Sequence, residues 1–326
     1  MTELERRYRR LLWAYPADYR RERGDEIVGT YLDLADPQRR RPSPAEAADL
    51  VRGGLRQRLR AAGANDLVPG VRLGALLALT TAAFLAAFWV FAERHLPPAE
   101  WGVPVFGPFV SVGIVAWCGW LLAALVAAVA PGRPTRAAIT VALLVTAALP
   151  AISVVAGVPR PPLLVLVPQV ALGVLALAIG DHLPAPARTL PVAAAVAGGG
   201  LSYAMGFDAL WGAYRGGGEE LLPPTGTVLL TVALLLAVGL GMRRDASGGW
   251  AVVALLTPVG LLNVHLLAGA VDGVVSAAPR PTYPTLVATA ITVALLGPAL
   301  LPAAVALRRR LGTPPAAPCP TSGARR

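Results

Sequence analysis

The stretch LGALLALTTAAFLAAFWVF, residues 73–91, runs for nineteen positions without a charged side chain. A helix rises about 1.5 Å per residue, so this one would be about 28 Å long, close to the roughly 30 Å of hydrocarbon in a bilayer. Seven further stretches pass the same test of length and apolarity: Val105–Ala130, Ala137–Gly157, Leu163–Gly180, Leu190–Phe207, Thr227–Met242, Trp250–Val271 and Leu286–Leu307. The fifth and sixth are short, and the fifth is rich in glycine. A mean hydropathy of +0.59, with 55% hydrophobic and 15% charged residues, points to lipid as the solvent for most of the 326-residue chain. The expected fold is all-α: a polytopic membrane helix bundle of about eight spans with a small three-helix cytoplasmic N-terminal domain. Its parts are a prefix at 1–62, a linker at 63–72, the spans at 73–307 and a disordered cytoplasmic tail at 308–326.

An even number of spans places both termini on one side, and arginine decides which. Fifteen arginines precede the first stretch. With a cytoplasmic N-terminus, Arg133, Arg136, Arg188, Arg243 and Arg244 occupy inner loops, against Arg94, Arg160, Arg215 and Arg280 outside. Glu93, Glu100, Asp208, Glu219, Glu220 and Asp272 fall in the outer loops, and Trp101, Trp211, Tyr214, Trp250 and Tyr283 at the water–lipid interfaces. The expected location is therefore the inner cell membrane. Roughly seventy hydrophilic residues precede the first apolar run, so that run is expected to act as its own insertion signal.

All 29 basic residues are arginine. Without lysine the chain has no Walker A phosphate loop, kinase lysine, Ser-Lys dyad or Schiff base. Cys118 and Cys319 lie at different expected depths and form no disulfide framework. His95, His182 and His265 are expected outside, inside and within the membrane, so no metal or other cofactor is expected.

The prefix reads as three amphipathic helices. Leu4, Tyr8, Leu11, Leu12 and Tyr15 recur on one face of the first, which Pro16 ends. The second, near 17–35, turns Tyr19, Ile27, Tyr31 and Leu34 inward, with Gly24 marking a close contact or a bend. Ser43, Pro44 and Glu46 make a capping box for the third, whose apolar stripe is Leu50, Val51, Leu55 and Leu59.

The strings YRRLLWAYPADYRRERGDEIVGTYLD (8–33) and RRPSPAEAADLVRGGLRQRL (40–59) resemble the N-terminal prefix of a large group of multi-pass membrane proteins from high-GC Gram-positive bacteria. Tyr15-Pro16, Tyr19-Arg20 and the Asp25-Glu26 pair carry the likeness, which covers residues 4–60. A similar signature precedes permease-like proteins, and the related HAAS-type prefixes neighbour PadR-like transcription regulators. Those neighbours imply a signalling role, and the patterned prefix has two readings: a solvated helical cap whose arginines keep it inside, or a docking module in which Tyr15, Pro16, Tyr19, Arg20, Asp25 and Glu26 meet a cytoplasmic protein such as a transcription regulator. Residues 1–72 carry fifteen arginines and eleven acids, a mixture that suits a protein surface better than a polybasic lipid clamp or direct nucleic-acid binding.

No Asp, Glu or Arg falls near the middle of a span, where ion-coupled carriers place charge. The polar candidates inside the membrane are Gln169, Ser202, Asn263 and His265, with hydrogen bonding between helices as the ordinary role of Gln169 and Asn263. Pro150, Pro168, Pro258 and Pro298 interrupt four spans, and Gly198, Ser202 and Gly206 recur at every fourth position as a packing stripe. Ser202 and His265 both fall about two thirds of the way to the outer face, a faint resemblance to the Ser-His pair of rhomboid proteases. The sequence thus favours a non-enzymatic signalling or scaffold protein. A permease for a neutral or lipophilic solute is the alternative, and an intramembrane protease stands far behind both.

Overall fold

The computed structural model describes residues 2–35, 39–61, 66–210, 221–273 and 281–311. Trp211, Tyr214, Cys319 and the tail beyond Leu311 lie outside the described residues. Among those described every regular element is helical, apart from one isolated bridge between Phe106 and Phe109. The chain divides into two compact units, 1–65 with 302–326, and 66–301.

In the first unit, α1 (Glu3–Leu11) starts at Thr2, whose side chain accepts the Glu5 N–H at 3.2 Å. Glu3 and Glu5 lie at its positive end and Arg9 and Arg10 at its negative end, as the helix dipole favours. A single 3₁₀ turn, Leu12–Ala14, then runs into Tyr15, whose ψ of 156° is the extended backbone imposed on a residue before proline. Pro16 caps α2 (Ala17–Asp33), and α3 (Pro44–Ala61) follows. The expected box is closed in both directions: Glu46 N–H donates to Ser43 Oγ at 3.2 Å, and Ser43 N–H to Glu46 at 2.9 Å.

Leu4, Tyr8, Leu12, Tyr15, Val28 and Leu50 form the apolar centre of this unit. Two expected stripes need correction. On α2, Tyr19, Ile27 and Tyr31 pack against that centre as expected, beside the buried Gly24 and Val28, while Leu34 follows the last helical turn and is exposed. On α3 the inner face is Leu50 and Gly54, and Val51 and Leu55 are exposed. Gly54 sets that rotation, because a Cβ there would come within 2.6 Å of Ala14 Cβ and 2.7 Å of its carbonyl carbon. The helix therefore turns its smallest residue toward the 3₁₀ turn and leaves the neighbouring stripe outside.

In the second unit each of the eight apolar stretches is helical over most of its length. Among the described residues, four helices are long and apolar enough to cross a membrane: α4 (Leu67–Ala92), α6 (Arg133–Ala156), α10 (Leu222–Met242) and α13 (Tyr283–Leu311). A fifth crossing results if α11 (Ser247–Leu262) and α12 (Val264–Val271), bent by 71° at Asn263, count as one. α5 (Gly113–Val129) and α7 (Leu163–Ala176) are shorter apolar helices of 17 and 14 residues. α8 (Ala185–Met205) has the length, but Arg188 and three consecutive glycines dilute its apolarity, and a one-turn α9 (Phe207–Leu210) follows.

α4 is apolar all round and enclosed, with 78% of its most apolar window buried, and α5, α7, α8 and α11 pack around it. It starts at Leu67, inside the expected linker, because Gly70 packs directly on Trp250 and Ser247 of α11. Trp250 is consequently buried against α4. Of the expected packing stripe on α8, Gly198 and Ser202 are buried, whereas Gly206 has a φ of 58° and ends the helix. The four intramembrane prolines lie within continuous helices, and the sharp break comes five residues after Pro258, at Asn263.

Gly198 lies so close to the Phe84 backbone that an added Cβ would overlap the Phe84 carbonyl oxygen, whereas nothing lies within 4 Å of that position at Gly200. Gly198→Leu is expected to lower the stability of the detergent-solubilised protein by about 1–3 kcal/mol through overpacking. Gly200→Leu, two residues away and exposed, should melt like the parent in the same thermal scan.

Candidate functional site

The signature residues of the prefix divide into structural and presented groups. Tyr15 is buried and stacks on Tyr19 with ring centroids 5.5 Å apart and planes at 11°. Burial, with Tyr19 and Asp49 nearby, raises the Tyr15 phenol above its ordinary range. Pro16 shapes the entry to α2. Asp25 pairs with Arg9 at 2.9 Å and so ties α2 to α1. Arg20 extends over the ring of Trp13, with its guanidinium carbon 4.9 Å from the ring centroid. Glu26 projects from α2 into solvent. Tyr15 and Pro16 therefore help build the unit, and Tyr19, Arg20, Asp25 and Glu26 keep surface that a partner can touch.

Trp13, absent from the sequence-derived candidates, is the largest exposed side chain here at 69%. Its signal was its place in LLWAYP, one residue off the buried face of the 3₁₀ turn. Arg58 holds that turn from behind, donating from Nε to the Ala14 carbonyl at 2.7 Å and also to the Trp13 carbonyl.

Two buried or half-buried tyrosines connect α3 to the other helices. Tyr8 donates to Glu46 at 2.7 Å, and Tyr31 to Asp49 at 2.6 Å. Burial first, then the bond to Glu46, pushes the Tyr8 phenol up to about 12. The bond to Asp49 is the leading cause of the upward shift at Tyr31. Glu46 moves the other way: the Ser43 N–H, the Tyr8 hydroxyl and Arg39 all favour its charged form. One carboxylate thus caps α3, anchors α1 and receives Arg39 at 3.0 Å.

The four polar candidates of the membrane part are not brought together. Gln169 is fully buried and donates to the Ala82 carbonyl at 3.2 Å, a bond from α7 to α4. Asn263 donates to Val259 one turn back, at the α11–α12 break, where Gly226 of α10 packs against it. Ser202 is fully buried on α8 and its Oγ has no hydrogen bond. It therefore makes no pair with the half-buried His265 of α12, and the nucleophile activation that a Ser-His protease needs is absent from this geometry.

Glu93 is the polar residue that sequence reading misplaced. Expected in an outer loop, it is fully buried where α4 ends. Its carboxylate accepts the Ser111 N–H and Oγ–H, each at 2.6 Å, and the Trp117 indole N–H at 3.4 Å. Ser111 Oγ in turn accepts the Gly113 N–H at 3.0 Å, at the first residue of α5. The Val110 N–H donates to the Glu93 carbonyl and the Val112 N–H to that of Pro159. This network holds residues 110–112 out of helical geometry, so α5 starts at Gly113, well after Val105. Buried charge without such donors costs several kcal/mol, so the network and the fold support one another.

One cavity of about 290 Å³ lies between α7, α11, α12 and α13, lined by residues that include Leu164, Pro168, Val264, Leu286 and Ile291. Tyr283 is its one lining residue with a polar side chain. None of Gln169, Ser202, Asn263 or His265 lines it.

No family model, curated protein or solved structure matches the chain.

Because its folded pKa is depressed, Glu46 contributes stability that is complete above its unfolded value and is lost as pH falls through the folded one. Amide protection at Ala47 and Ala48, corrected for intrinsic exchange, is expected to fall between about pH 5 and pH 3. Glu46→Gln should show weak protection at both values and little change between them.

Proposed function

We propose that this chain is a non-enzymatic inner-membrane protein of eight crossings, both termini cytoplasmic, whose N-terminal helical unit docks a cytoplasmic protein partner. The prefix resemblance to HAAS-type proteins makes a transcription regulator the partner class of choice. The observation that supports the reading is the arrangement of the prefix: Tyr15 joins the apolar centre of a packed scaffold, and that scaffold presents Trp13 with Arg20 stacked on it. Large aromatic and arginine side chains on a rigid support are the groups that most often anchor protein interfaces. Eight crossings draw support from the helicity of all eight apolar stretches, and the orientation from the surplus of arginine in the segments assigned inside.

The second reading, a permease for a lipophilic solute, is favoured by the apolar cavity beside α13. Against it, Gln169 and Asn263 spend their amide N–H groups on backbone carbonyls and face no shared polar cavity.

The two readings separate in one experiment. Full-length protein, crosslinked in its native membrane and captured, is expected to retain a specific cytoplasmic partner. Trp13→Ala with Arg20→Ala should reduce that recovery about tenfold or more, as loss of interface anchors does, with Val155→Ala, on the exposed surface of α6, as the neutral control. Equal recovery with all three forms, or no partner at all, rejects docking through this surface.

A further inference from the structure

The last two and a half turns of α3 form a ridge unlike the rest of its unit. Arg52, Arg56 and Arg60 recur at every fourth residue, all exposed. Beside them run Val51 and Leu55, 37% and 54% exposed, and Leu59. Successive residues of a helix are about 100° apart, so the apolar row lies roughly 100° and the arginine row roughly 200° from the inner face of Leu50 and Gly54. Arg58, the other arginine of this segment, turns back to the Trp13 and Ala14 carbonyls and does not belong to the ridge.

The even mixture of charges in the sequence is not even in space. Glu3 is paired with Arg7, Glu5 and Asp25 with Arg9, and Asp18 with Arg21. Glu46 is taken by Arg39 and Tyr8, and Asp49 by Tyr31. No carboxylate occurs between Asp49 and Asp66, so Arg56 and Arg60 have none within a turn of them on their own helix. Five residues after α3 ends, α4 begins, a helix long and apolar enough to cross a membrane.

We propose that this ridge lies on the anionic lipid surface of the membrane that α4 enters, with Val51 and Leu55 at the acyl boundary and Arg52, Arg56 and Arg60 among the headgroups. Resting on the membrane reading above, this assigns the α3 face to lipid and leaves the Trp13–Arg20 face for a protein. The occupant follows from chemistry. A basic row beside an exposed apolar row matches an anionic bilayer, whose surface is charged and whose acyl boundary is apolar. A nucleic acid would leave Val51 and Leu55 uncovered, and only five residues of sequence separate α3 from α4.

The test uses the full chain with Cys118 and Cys319 replaced by serine and a single nitroxide-labelled cysteine at Leu55, or at Leu144, an exposed position midway along α6. Each form is placed in nanodiscs of pure phosphatidylcholine or of phosphatidylcholine with phosphatidylglycerol, and collision with oxygen and with a water-soluble nickel chelate is measured. The Leu144 label should favour oxygen in both lipids. The Leu55 label should favour oxygen only with phosphatidylglycerol, and should return to water in the R52Q/R56Q/R60Q form. Each arginine near an anionic surface shifts partition about fivefold, so the triple change should move it on the order of a hundredfold. A Leu55 label equally open to water in both lipids, with Leu144 in lipid, overturns the ridge proposal alone. A Leu55 label shielded from both reagents indicates a protein cover and overturns it too. A Leu144 label open to water rejects the membrane reading itself.

Discussion

Backbone amides and carbonyls inside hydrocarbon have no water to bond, and α4 is where that constraint bears hardest. A helix without a polar face closes its own hydrogen bonds but must be covered on every side, so the second unit is arranged as a sleeve of α5, α7, α8 and α11 around it. Close approach comes from small residues at the crossings: Gly70 and Gly74 of α4 toward α11, and Gly198 of α8 toward Phe84. Several of the polar side chains that lie where water is excluded have partners. Glu93 has Ser111 and Trp117, Trp120 donates to Thr146 at 2.9 Å, and Gln169 reaches the Ala82 carbonyl. At the other extreme, α13 has 6% of its apolar window buried and meets α11 where Gly260 packs on Val293 and Gly297 on Thr257.

The first unit is stabilised differently. Its apolar centre is small, and the helices are also joined by charged and phenolic groups at its edge. Tyr8–Glu46, Tyr31–Asp49 and Arg9–Asp25 each connect two helices. Charge-assisted bonds of this kind fix geometry as well as contributing energy. Ion pairs with arginine engage several other carboxylates, and α3 carries none after Asp49, so a segment of nearly balanced sequence charge presents a basic ridge on one face and an aromatic–arginine pair on another.

What was legible in the sequence was local. The Tyr15-Pro16 break, the Ser43–Glu46 box and the apolar stretches each depend on a few adjacent residues, and each is seen where expected. What was not legible depended on distant partners. The Tyr8–Glu46 bond spans 38 residues, and Glu93 reaches Ser111 across 18. The burial of Trp250 depends on Gly70 of α4, which packs against it. The α3 stripe was misread by one position because Gly54, apolar only in the sense of having no side chain, faces inward by virtue of its size. Among the candidate residues, helical period placed Tyr15 correctly in the core, whereas Trp13 and Glu93 have no periodic signature.

The most direct measurement of the central claim is labelling of single substituted cysteines on intact bacterial cells with a thiol reagent that cannot cross the membrane, in protein lacking Cys118 and Cys319. Positions Ser43, Glu100, Arg160 and His182 flank α4 and the short helix α7. Eight crossings with a cytoplasmic N-terminus predict that Glu100 and Arg160 are labelled at once, and Ser43 and His182 only after permeabilisation. Arg160 and His182 labelled from the same side would show that α7 does not cross, and Ser43 labelled on intact cells would contradict the orientation.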